Sequence, residues 1–129
     1  MTATPEEAVR QRLLVQMMDV GYPKQLLSIE RGLRELAYSY KGRVPDRRVD
    51  IVCFSKKGLH PLLMVECKAI SLNQEAIYQV IGYNRFVKAS FVAVANAEKV
   101  LTGWYDAATR QYRFIEKLPS YEYLMNALS

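Results

Sequence analysis

The sequence has few of the residues that carry most metal-binding and nucleophilic chemistry: two cysteines, one histidine and one tryptophan in 129 residues. Cys53 and Cys67 lie apart, each inside an apolar stretch, which excludes both the close pairs of a thiolate zinc site and a disulfide framework. They read as buried, reduced thiols, and Cys67 as a small hydrophobe with no chemical part. His60 precedes Pro61 with no second histidine at ligand spacing, so it reads as a turn residue and no histidine-based mechanism is available. A glycine-rich phosphate loop is missing, which argues against an ATP-driven motor. The longest apolar runs, Leu62 to Val65 and Phe91 to Ala95, fall far short of the roughly 20 residues that span a bilayer. Met1 to Arg10 carries Glu6 and Glu7 and lacks the basic start and apolar centre of a signal peptide. The expectation is a protein of the reducing cytoplasm with no membrane association.

Half of the residues are apolar and a quarter are charged, as in one globular domain, here residues 1–129, with a core large enough to need no staple. The net charge of +5 suggests an anionic partner, and its distribution sharpens the point. Lys41, Arg43, Arg47 and Arg48 cluster against Asp46 alone, with Lys56 and Lys57 soon after. The bland reading of such a run is a solvated loop; the other is contact with nucleic-acid phosphate.

Helical spacing runs from Pro5 to Val20, with Thr4 as N-cap and Glu7 three residues on. Within it the pair Met17-Met18 reads as core filling. Leu26 to Tyr40 is ambiguous, because helical and alternating patterns both fit. Val49 to Phe54, Leu62 to Cys67 and Phe91 to Ala95 are compact apolar runs bounded by charge, glycine and proline, as in central strands, with Lys56-Lys57-Gly58 turning between the first two. A second helix is expected over Leu72 to Val87 with Ser71 as cap. Tyr112 to Glu116 reads as an edge strand, and Pro119-Ser120 as the start of a terminal helix through Leu128. Trp104 and Tyr105 read as sheet packing rather than base stacking. This order predicts an α/β (α+β) fold with a central mixed sheet flanked by helices.

The chemistry concentrates at Glu66-Cys67-Lys68. Residues two apart on a strand share a face, so Glu66 and Lys68 point one way and Cys67 the other. Asp50 stands at the mouth of the preceding strand, and a hairpin between the two strands brings it toward Glu66. Converging carboxylates repel, and a hard divalent cation such as Mg²⁺ (or Mn²⁺) relieves that repulsion. A neighbouring lysine can position water and stabilise charge developing on a phosphate. The competing explanation is an ion pair of these acids with Arg48 or Lys68, with no metal involved.

An acid on one strand followed by acid-x-lysine on the next, here Asp50, Glu66 and Lys68, resembles the PD-(D/E)xK nuclease superfamily. More narrowly, Arg47 to Val52, Leu63 to Lys68 and Gln79 to Asn84 resemble the N-terminal nuclease domain of type I restriction enzyme R subunits, over about Glu6 to Phe114. Gln79 and Tyr83 match the QxxxY motif that this group shares with RecB-like nucleases, a spacing that stacks both on one helical face. The resemblance implies a restriction-endonuclease-like core and a strand for Leu26 to Leu36. It implies Asp50 and Glu66 as metal ligands, joined by a glutamate of the first helix best matched by Glu7, with Lys68 assisting water and Gln79 orienting water or phosphate. Tyr83 would contact nucleic acid or support the site, and the basic run with Arg43, Arg47 and Arg48 is the candidate for phosphate contact. Where the group commonly has asparagine-glycine after a strand, this sequence has Asn96-Ala97. The implied activity is Mg²⁺-dependent DNA hydrolysis, with a partner-dependent or non-catalytic DNA-binding or assembly module as the alternative. The implied partners are DNA and a helicase, translocase or other restriction-modification subunit, and a homodimer would supply further binding surface.

Overall fold

The computed structural model describes residues 4–128. The chain forms helix α1 (Pro5–Asp19), strand β1 (Leu27–Gly32), the single-turn helix α2 (Leu33–Leu36) and strands β2 (Arg48–Phe54) and β3 (Pro61–Cys67). Helix α3 (Gln74–Val87), strands β4 (Phe91–Ala95), β5 (Val100–Asp106) and β6 (Gln111–Ile115), and helix α4 (Tyr121–Ala127) follow. One six-stranded sheet runs in the order β1-β2-β3-β4-β5-β6, antiparallel except for the parallel β3–β4 pair. The parallel pair needs a crossover, and α3 supplies it. The sheet is mixed and carries helices on both faces, as the element order predicts.

Period-2 alternation divides the core. Ile51, Cys53, Leu63, Val65 and Cys67 pack with Val9, Leu13 and Met17 of α1 and Leu124 of α4. Val52, Met64, Val92 and Val94 pack with Val80, Phe86 and Val87 of α3 and Leu33 and Leu36 of α2. All of β3 and β4 is buried, which accounts for their unbroken apolar sequence. Met17 fills the core while Met18 is exposed, so only the first of the pair is core filling.

Several expectations change. Leu26 to Leu36 is not one strand: pairing with β2 ends at Gly32, and Leu33 begins a helical turn that buries Leu33, Leu36 and Ala37. Both periodicities in that stretch were real, each over its own half. The cap of α3 is Asn73, whose side chain accepts the Ala76 N–H at 3.0 Å, so the helix starts at Gln74 rather than Leu72. Strand β5 is an addition to the strands that the sequence pattern predicts. Gly103 interrupts its sequence as a turn residue would, yet it pairs with Phe114, whose ring lies where a Cβ would be, 2.5 Å from it. Trp104 packs on the α1/α4 side of the core, and Tyr105 is exposed with its ring edge-on to Tyr112.

Candidate active site

The start of β2 and the ends of β3 and β4 lie at one end of the sheet, because β2 runs antiparallel to β3 and β3 runs parallel to β4. Asp50, Glu66 and Lys68 meet there. The regular ladder fails at this point: β1 and β2 pair at Ile29–Ile51 and Arg31–Val49, leaving Glu30 and Asp50 opposite each other but unpaired. Glu30 has a left-handed backbone, φ 51°. Alternation breaks as well, since Val49 and Val52 belong to the α3 layer while Ile51 belongs to the α1 layer. Irregular strands of this kind re-aim side chains, and here Asp50 accepts the Cys67 N–H on Oδ2 at 2.8 Å.

Glu66 is 7% exposed, and its Oε1 is buried with no hydrogen-bond partner. Burial pushes its carboxyl from the ordinary 4.5 up to about 8, and the Asp50 carboxylate adds to that rise. Lys68 and the Asp50 backbone N–H pull the other way without cancelling it. Such a buried polar atom is costly to leave unsatisfied. Among the described residues neither acid forms an ion pair with Arg48 or Lys68, so the purely ionic explanation of their placement has no contact behind it. Cys67, between Glu66 and Lys68 and facing the opposite way, has its thiol pushed up to about 12 by burial first and by the Asp50 and Glu66 carboxylates.

Lys68 continues the β3–β4 ladder through its N–H to Ala95 O at 2.8 Å. Its ammonium donates to Gln79 Oε1, and Gln79 Nε2 donates to the Tyr83 hydroxyl at 3.3 Å. The four-residue spacing on α3 makes this relay possible. Gln79 is thus held between Lys68 and Tyr83, and the half-buried Tyr83 supports it from behind.

Glu7 takes a different place from the one implied. Its N–H and carboxylate both engage the Thr4 hydroxyl, each at 3.1 Å, and the α1 charges acting on Cys67 are those of Arg10 and Glu6. Among the described residues no three His, Cys, Asp or Glu side chains converge as a metal site, so two carboxylates come together rather than three. The reason is geometric: α1 packs on the Cys67 face, opposite the face that carries Glu66 and Lys68. Arg43, Arg47 and Arg48 are exposed, in the loop that leads into β2 and on its first residue, beside Asp50.

Nothing in the local pattern announces the Arg10–Glu30 contact (3.2 Å) next to this site, because a left-handed glutamate has no signature. Asn96 is followed by alanine, not glycine. Its Oδ1 accepts the N–H groups of Glu98 and Lys99, and its Nδ2 ties down Ile70 O at 3.1 Å, so the turn closes without glycine.

A family model described as type I restriction enzyme R protein N terminus (HSDR_N) matches residues 5–119. The chain belongs to this family. Among solved structures, a fragment assigned to an HsdR subunit of a type I restriction enzyme from Vibrio vulnificus YJ016 superposes with TM-score 0.65 at 18% identity. It covers 95% of this chain and 25% of that one. The type IIG restriction endonuclease BpuSI superposes with TM-score 0.51 at 21% identity, covering 88% of this chain and 12% of that one. No curated protein matches the chain significantly in sequence. The chain therefore has a restriction-enzyme-like fold, and it spans a quarter or less of these two structures' own chains. None of the helices is long and apolar enough to cross a membrane, among the described residues.

Proposed function

We propose that this chain hydrolyses DNA phosphodiester bonds with the help of a divalent cation. The observation that carries the reading is the Glu66 carboxyl, buried with one oxygen unpartnered and driven toward its neutral form beside Asp50. Two hard oxygen donors that repel each other fit Mg²⁺ or Mn²⁺, and Asp50 and Glu66 would hold it. When bound, the cation would polarise a phosphoryl oxygen and acidify water. The protein's own residues do the rest. Lys68, whose ammonium donates to Gln79 Oε1, offers that ammonium to charge developing on the phosphate, and Gln79 and Tyr83 keep it from swinging away. In this reading Gln79 and Tyr83 are positioning residues, and Tyr83 acts through Gln79. Arg43, Arg47 and Arg48 would draw the DNA backbone toward the same end of the sheet.

The test is cleavage of supercoiled and linear DNA in Mg²⁺ or Mn²⁺ by wild type and Lys68→Ala, with calorimetric Mg²⁺ binding to wild type, Asp50→Ala and Glu66→Ala. Nicking lost in Lys68→Ala, with binding lost in the acid variants, supports the proposal. The second reading, a DNA-binding or assembly module that depends on the rest of a longer enzyme, is favoured by the small share of the two relatives that this fold occupies. It predicts salt-sensitive DNA binding indifferent to both acids and no cleavage by the domain alone.

A further inference from the structure

An open cleft of about 480 Å³ adjoins Lys68 and Gln79, a size within the range of small-ligand pockets. Its other walls include Ile70 and Tyr78, which are 69% and 65% exposed. Exposed apolar residues are ordinary when scattered, but these two line one cleft with Lys68 and Gln79 of the candidate site, the rest of its wall being Ser71, Asn73, Glu75 and Ala76. The cleft is also built on fixed elements. Asn96 holds the Ile70 carbonyl from across the loop, and Tyr78 sits on α3, capped by Asn73 and continuous with Gln79.

We infer that this cleft receives the sugar and base of the nucleotide next to the scissile phosphate, with Tyr78 stacking on the base and Ile70 closing the apolar side. Lys68 and Tyr78 line the same cleft, so a phosphate held at Lys68 would put its nucleotide in the space that Tyr78 bounds. A base in an intact duplex has both faces covered by its neighbours, so the cleft selects DNA whose base is unpaired there: a single strand, a frayed end or a distorted step. Aromatic stacking of this kind is tolerant of base identity, so the selectivity is for structure rather than sequence. The inference rests on the nuclease reading for the position of the phosphate and extends it to the class of substrate.

The experiment measures binding of a fluorescein-labelled single-stranded DNA oligonucleotide, and of the same sequence as a blunt duplex, by anisotropy at low salt in EDTA, where no cleavage intervenes. Wild type is compared with Tyr78→Ala and Tyr78→Phe, changes at an exposed position that leave the core untouched. Tyr78→Ala is expected to weaken single-strand binding by about 5-fold or more while Tyr78→Phe retains it and duplex binding changes less than about twofold. With 2-aminopurine in the strand, its fluorescence is expected to be quenched by wild type and Tyr78→Phe but not by Tyr78→Ala. Equal loss for single strand and duplex, no loss for either, or no single-strand binding by wild type would each overturn the inference. Because no turnover is involved, its failure is separate from that of the nuclease reading: a domain that cleaves DNA through Lys68 but ignores Tyr78→Ala sinks the cleft alone.

Discussion

Replacing Glu66 by glutamine should make the metal-free protein more stable and the metal-loaded protein less so. In the folded chain the carboxyl titrates near 8 rather than 4.5, because burial and the Asp50 carboxylate both penalise its charge. The folded state therefore holds a proton that the unfolded state gives up. Stability from this group is complete below the unfolded value and is lost as pH rises toward the folded one. At about 1.4 kcal/mol per pH unit, the loss reaches roughly 4 kcal/mol by about pH 7.5, and relaxation around the buried acid reduces it to about 2–4 kcal/mol. Glutamine keeps the shape, carries no charge, and can donate an N–H toward Asp50. Urea unfolding in EDTA from about pH 5 to about pH 8 should show wild type falling relative to Glu66→Gln, with the two close at the acidic end. Millimolar Mg²⁺ should then raise wild type alone, by about 2.7 kcal/mol at a concentration one hundred times the dissociation constant. Parallel pH profiles for the two proteins would refute the reasoning at its base, since Glu66 would then be ionised at no cost in the folded state.

Gly103→Ala should cost about 1–3 kcal/mol in chemical denaturation, because the new methyl meets the Phe114 ring well inside contact distance, and Phe114→Leu in the same chain should recover part of it. Asn84 is buried, with its amide closing the end of α3 on Ala89 N and O at 2.8 and 3.0 Å. Asn84→Ala should therefore destabilise by about 2–3 kcal/mol, seen as a lower midpoint with unchanged slope. Tyr83→Phe removes the hydroxyl that Gln79 donates to. If the relay positions Lys68, this variant should lower kcat for DNA cleavage about 5- to 10-fold with KM little changed, whereas loss of a direct DNA contact would raise KM instead.

Much of the site was legible because its parts are strand-encoded. Asp50 borders Ile51 to Phe54, Glu66 and Lys68 close the apolar run that begins at Pro61, and Gln79 and Tyr83 keep a helical four-residue spacing. Continuous apolar runs bounded by charge, glycine and proline read as buried strands, which puts the acids at the ends of the central strands. Glu7 shows where that logic stops. Its helix was correctly bounded at Thr4, but the face of the sheet that α1 covers depends on the packing of Val9, Leu13 and Met17, and that choice turned the glutamate to its own cap.

By itself, then, the sequence determined the central strands, α1, α3 and α4, which are written in local periodicity and spacing, and it carried the acid-acid-lysine set and the QxxxY pair as candidates through their resemblance to a known family. Only the tertiary structure decided that Leu33–Leu36 is a helical turn, that Val100–Asp106 is a strand built around a glycine under Phe114, and that the ladder breaks where Glu30 faces Asp50. It alone decided, too, that Glu66 is buried enough to hold its proton near neutral pH. Register, close approach and desolvation depend on what residues distant in the chain bring to the same place, and no window of sequence contains that.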